Sequence, residues 1–211
     1  MRQLPVEKRS VTKRVESCLV RCLDGGSSPP ISTIMTNDGD QNWYVIRVTY
    51  GRELKFQALL QEAGFQTFIA MQKRTVEKDG KKETKILPAI SNLCFVKTSQ
   101  DALYSFMKSF GDACPARFIW DNSTRKPIVV PTKAMEDFMK ISLSMIDDVI
   151  YIREISDKLR EGVKVRVKVG PFKDVEGTVI RVKRSRRVMV ELPGMLAIAT
   201  TFVKPEELEI L

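Results

Sequence analysis

The sequence predicts an α+β chain, a βαββαβ unit followed by a small β-barrel, and three observations predict it. From Trp43 to Trp120, short apolar strands alternate with two segments whose apolar residues recur at i, i+3, i+4 and i+7. From Gly162 to Leu211 that period disappears, and valines and isoleucines fall at alternate positions between glycines and prolines. The composition, 43% apolar and 29% charged over 211 residues, is enough for two small cores.

Residues 1–42 hold no sustained period and are broken by Gly25-Gly26-Ser27-Ser28-Pro29-Pro30, so a disordered tail is expected. Its Lys8, Arg9, Lys13 and Arg14 are either a basic nucleic-acid arm or solvated charge. Because domain-like texture starts only at Trp43, a translation start at Met35 is a further expectation. WYVIRVTY, from Trp43, is a strand that passes directly into a helix. There Phe56, Leu59, Leu60 and Ala63 form one apolar stripe, and Gly64 supplies the residue that ends it. Arg52 and Lys55 lie on the other face. Next come a strand-like run from Phe65 to Ala70, a charged hairpin turning at Asp79-Gly80, and an apolar strand over Ala89–Val96. Ser99 caps a second helix, whose stripe is Leu103, Phe106, Met107 and Phe110 and whose stop is Gly111.

Arg117–Trp120 is a last short strand, with Phe118 and Trp120 on one face and Ile119 on the other. The order is that of the ferredoxin-like, split βαβ arrangement, in which both helices cover one face of an antiparallel sheet. Pro131-Thr132 opens a third helix with Met135, Phe138, Met139 and Ile146 on its apolar side. The polar stretch 147–161 reads as an interdomain linker in which Val149-Ile150-Tyr151-Ile152 can pair or pack. In the final block, Val163, Val165, Val167 and Val169 alternate, Gly170-Pro171-Phe172 turns the chain, and Val175–Val182 returns. Gly177, with no Cβ, admits a neighbouring strand. Lys183, Arg184, Arg186 and Arg187, with Arg181, put five basic residues into seven positions at a hairpin tip. RNA, DNA or a ribosomal partner suits such a tip, and so does plain solvation.

The net charge of +9 points to a polyanionic partner. Histidine is absent, which removes the commonest general base and every Ser-His or Cys-His pair. Scattered carboxylates such as Asp147-Asp148 and Glu206-Glu207 do not face each other, so no enzyme is expected. Cys18, Cys22, Cys94 and Cys114 lack paired C-x-x-C spacing; free thiols, no metal and no cofactor are expected. No apolar run suffices for a membrane span or a signal peptide, so no membrane partner and a cytoplasmic location are expected.

Trp43-Tyr44 at the head of a strand, a helix directly after it, a strand ending in Phe95-Val96, and the Val163–Val182 stretch together resemble the NusG family of elongation factors. The Val163–Val182 stretch itself is similar to the KOW motif, which some ribosomal proteins also carry. VTYGRELK, EKDGKK, LPAISNLCFVKT, PIVVPTKAMEDFM and AIATTFV look most like the UpxY antiterminators of capsular polysaccharide operons. One departure is that Pro88 is followed by Ala89-Ile90-Ser91-Asn92, where the general family has Pro-Gly-Tyr or Pro-Asn-Tyr.

The resemblance implies a NusG N-terminal domain over 43–146 and a KOW domain, an SH3-like barrel, over 162–211. It implies no catalytic centre, docking on the clamp region of RNA polymerase, and contact with non-template DNA or nascent RNA. By position, the polymerase pocket would draw on Tyr44, Leu87, Pro88, Phe95, Phe118 and Trp120. Arg52, Lys55, Lys73, Arg74, Lys81 and Lys82 would meet nucleic acid, solvated charge being the competing reading. The KOW side would use Gly170, Phe172, Gly177 and the basic tip, with a ribosomal protein as one candidate partner, and a monomer is expected. The implied function is antitermination; the alternative is a ribosome-associated or general RNA-binding protein.

Overall fold

The computed structural model describes residues 41–78, 81–144, 149–152, 161–182, 185–193 and 195–211. Most of the expected tail, with Met35, Cys18 and Cys22, lies outside them, as do the Asp79-Gly80 turn, Ile146, and Lys183-Arg184. Among the described residues the fold is mixed α/β with three α-helices. In chain order the first part is β1 (Asn42–Val48), α1 (Glu53–Glu62), β2 (Gln66–Phe68), β3 (Met71–Lys78), β4 (Lys81–Pro88), β5 (Leu93–Thr98), α2 (Gln100–Ser109), β6 (Ala116–Phe118), β7 (Val129–Val130) and α3 (Thr132–Ser144). The second is β8 (Ile150–Ile152), β9 (Lys164–Val167), β10 (Glu176–Val182), β11 (Ser185–Leu192), β12 (Leu196–Ala199) and β13 (Leu208–Ile210).

In the first sheet the strand order is β2-β5-β1-β6, with β7 also paired to β1. β1 has two buried faces, which is why WYVIRV is apolar almost throughout. Tyr44, Ile46 and Val48 join Phe56 and Leu60 of α1 and Leu103 and Met107 of α2 in one core. Trp43 and Val45 point the other way, towards Met135, Phe138 and Ile141 of α3. The helix stripes fall where the 3.6-residue period puts them. Ser99 accepts a hydrogen bond from Ala102 N at 3.3 Å, and Gly64 and Gly111 take φ of +86° and +56° at the two helix ends.

One strand starts later than its sequence suggests. Ala89–Asn92 is a turn and β5 begins at Leu93, because Asn92 adopts φ +65°, outside the extended region that a regular strand needs. Ala89 and Ile90 are still buried, so their apolarity reports packing rather than extension.

The second sheet runs β13-β9-β10-β11-β12-β8. Ile150–Ile152 does pair, with β12, so the stretch expected to link the units also supplies an edge strand. α3 lies between the sheets, touching β1 on one side and β11 and β12 on the other. A single buried cluster therefore runs from Trp43 and Phe95 through Phe138 to Val188, Val190 and Ile198. Polar contacts reinforce this seam. Lys133 Nζ donates to Asp137 Oδ1 and to Asp174 O, both at 2.7 Å, and Asp137 Oδ2 accepts from Glu176 N at 3.2 Å. The hydroxyls of Ser142 and Tyr151 lie 3.0 Å apart.

Cys94 and Cys114 are buried free thiols. Burial, reinforced by the Glu53 carboxylate, pushes the Cys94 thiol from its ordinary 9.0 up to about 12. The folded state thus holds the Cys94 proton more tightly than the unfolded state. Its contribution to stability is complete below pH 9.0 and is lost as pH rises towards about 12. Cys94 is accordingly expected to resist iodoacetamide at pH 8 in the native protein and to label once urea unfolds it, read by peptide mass spectrometry; equal labelling in both states would contradict the burial.

Candidate nucleic-acid and docking surfaces

The turn from β1 into α1 is fixed from two sides. Thr49 N and Oγ1 both donate to Pro115 O, at 2.9 and 3.1 Å, while Val48 N donates to Asn92 O at 2.9 Å. Asn92 Oδ1 accepts from Gly51 N at 3.4 Å, and Asn92 N donates to Glu53 Oε1 at 3.3 Å. The left-handed φ of Asn92 lets one residue make these three bonds, and Asn is among the residues that tolerate it. Tyr50 and Gly51 are also left-handed, at +62° and +63°. Glu53 is buried and Arg52 half-buried, its Nη1 enclosed, so the exposed side chains of the turn are Tyr50 and Lys55. The Arg52 guanidinium carbon stands 5.5 Å from the centroid of the exposed Tyr50 ring, and Lys55 is exposed one helical position beyond Leu54. Arg52 is half-buried behind the Tyr50 ring and Lys55 is exposed in the first turn of α1; Tyr50 was not singled out in the sequence.

The basic residues of the β3–β4 hairpin do not share one face. Directly paired residues of antiparallel strands point the same way, and Lys73 pairs with Ile86 whereas Arg74 pairs with Lys85. Lys82 pairs with Glu77, and so belongs to the Lys73 side, where an acid faces it. Arg74 also donates Nη2 to Ala89 O at 3.1 Å, tying the hairpin root to the turn before β5. Lys81 pairs with Lys78 at the hairpin end.

The six apolar residues expected to form one pocket separate for the same reason. Tyr44 and Phe118 lie on the α1–α2 side, edge to face at 5.9 Å, and Trp120 continues that row 6.5 Å beyond Phe118. Phe95 is on the opposite side of the sheet against Phe68 and Phe138. Leu87 and Pro88 stand at the hairpin root, paired with Gln72 and Met71. Tyr44 and Phe95 are core; Leu87, Pro88 and Phe118 are half-buried, and Trp120 is 55% exposed. Trp120 borders a cleft of about 520 Å³ with Pro127, Val129 and, from the turn after β11, Pro193. Asp121, at the rim, is held below the usual carboxylate range by hydrogen bonds from Ser123 and Thr124. A second groove, on the α3 side, is lined by Arg47, Ile90, Leu93 and Ile119 and closed by Met195 and Leu196.

On the second sheet, Gly170 takes φ +85° and Phe172 is buried, while Gly177 lies directly under β11. Arg181 pairs with Arg186, like charges directly opposite on a hairpin. Arg187 is turned back, donating Nη1 to Thr200 O at 2.8 Å. Lys183 and Arg184 lie outside the described residues. Among the described residues, no group of histidine, cysteine and carboxylate side chains is placed to hold a metal ion, and no helix is long and apolar enough to cross a membrane.

Residues 41–139 match the family model described as the transcription termination factor NusG. No curated protein matches the sequence. Among solved structures, one of Thermotoga maritima NusG concerned with domain interaction is similar over 81% of this chain and 97% of that chain, at 17% identity and a TM-score of 0.41.

Proposed function

We propose that this protein is a NusG-type transcription factor that binds RNA polymerase and promotes read-through of particular operons, capsular or exopolysaccharide ones by its likeness to the UpxY antiterminators. The family match over residues 41–139 carries the reading. The sheet order β2-β5-β1-β6 with α1 and α2 on one face supports a ferredoxin-like NusG N-terminal domain over 43–146, and the five strands after Gly162 support a KOW barrel over 162–211. The factor is a cytoplasmic binding protein without catalytic chemistry of its own. The Tyr50–Lys55 turn faces nucleic acid, and the Trp120 end of the aromatic row docks on the polymerase.

Single-round transcription of an operon leader followed by a terminator tests this. Read-through is expected to rise with the protein present, and unchanged read-through without polymerase binding removes the reading. Trp120→Ala is expected to weaken polymerase binding at least about ten-fold, as truncating a central aromatic anchor does, with melting unchanged because Trp120 is exposed. The readout is fluorescence anisotropy with labelled factor. Unchanged affinity would move the docking surface to the α3-side groove around Arg47, Leu93 and Ile119.

A further inference from the structure

Tyr50 is 84% exposed and contributes to none of the three buried clusters. Its backbone is left-handed, a conformation that a bulky L residue adopts only where surrounding structure imposes it. Thr49, Gly51 and Asn92 impose it through the bonds to Pro115 and across the turn. The ring is therefore held outward on a fixed support. Arg52 lies over the ring at 5.5 Å from its centroid.

We propose that Tyr50 is a stacking platform for an unpaired base of single-stranded nucleic acid, with Arg52 behind the ring and Lys55 on an adjoining phosphate. The inference rests on reading this face as nucleic-acid-binding and adds the residue that meets the base. A cation on one ring face leaves the other for a second π system, and base–aromatic stacking on a basic surface is how unpaired strands are held without sequence readout. From Thr49 to Lys55 the sole acid is Glu53, which is buried, so no exposed anion on the turn opposes a phosphate.

The test is anisotropy titration of the full chain with labelled 12-mers: single-stranded DNA, RNA of the same sequence, and the DNA with one central abasic site. Tyr50→Asn keeps a residue that tolerates the left-handed backbone, and Tyr50→Phe keeps the ring. Tyr50→Asn is expected to bind the intact strand about ten-fold more weakly, Tyr50→Phe as wild type, and the Asn effect should shrink on the abasic strand. Lys55→Ala is expected to weaken intact and abasic strands alike and to lower the salt slope by about one. Whichever of DNA and RNA shows the larger Tyr50 dependence is the strand this site holds. Equal binding of wild type and Tyr50→Asn to both strands overturns the proposal, as does an acidic peptide competing more strongly than either. If polymerase binding and read-through persist in that event, the stacking inference alone has failed.

Discussion

Phe138→Ala is expected to be the most damaging single truncation in the chain. Phe138 is fully buried in α3, and its ring meets Phe68 at 5.9 Å, Phe95 at 5.4 Å and Tyr151 at 6.4 Å. Phe68 and Phe95 belong to the first sheet and Tyr151 to the second, so the cavity would open at the seam between them. Removing a buried phenyl ring costs about 3–5 kcal/mol, the lost transfer energy plus the cavity, and would lower the melting temperature by roughly 10 °C. Urea unfolding followed by near-ultraviolet circular dichroism measures it. A single transition at lower urea is expected, since both sheets share the cluster that Phe138 centres. A loss below about 1 kcal/mol would mean that α3 does not join the two sheets.

Gly177→Ala is the second. A Cβ built on Gly177 would stand 2.3 Å from Met189 O and 2.8 Å from Val188 Cγ1. The carbonyl is backbone and lies under the ladder that joins β10 to β11, so it cannot retreat without breaking that ladder. A cost of about 3 kcal/mol or more is expected, at the upper end of overpacking. Gly170→Ala is the internal comparison. Its Cβ meets nothing within 4 Å, and only the φ of +85° resists it, which costs roughly 1–2 kcal/mol. Thermal melting of the two variants should rank them in that order, and the reverse ranking would contradict the close approach of β11 to Gly177.

Both glycines stand out in the sequence, but only the structure separates their reasons. The helices were legible because one apolar stripe repeats at the helical period and Ser99, Gly64 and Gly111 mark their ends. The start of β5 was not, because Ala89 and Ile90 are apolar for burial and the left-handed Asn92 leaves no hydropathy signal. Nor was the partition of the aromatic set. β1 is buried on both faces, so alternation tells which residues share a side but not which side holds which helix. α3 looked like a helix with one apolar side, yet it touches both sheets, and its second contact runs through the buried Asp137 and Ser142, which a hydrophobic period cannot report. At the candidate site, the charges of Arg52 and Lys55 were visible in the sequence. The presentation of Tyr50 was not, since it depends on Asn92 and Pro115, far along the chain.

The proposed polymerase binding rests on residues 41–139, which match the NusG family model. Sedimentation of the purified full chain with core RNA polymerase and, separately, with ribosomes tests it most directly. A stoichiometric complex with polymerase that Trp120→Ala weakens is expected. Co-sedimentation with ribosomes and none with polymerase would contradict it and favour a ribosome-associated RNA-binding protein.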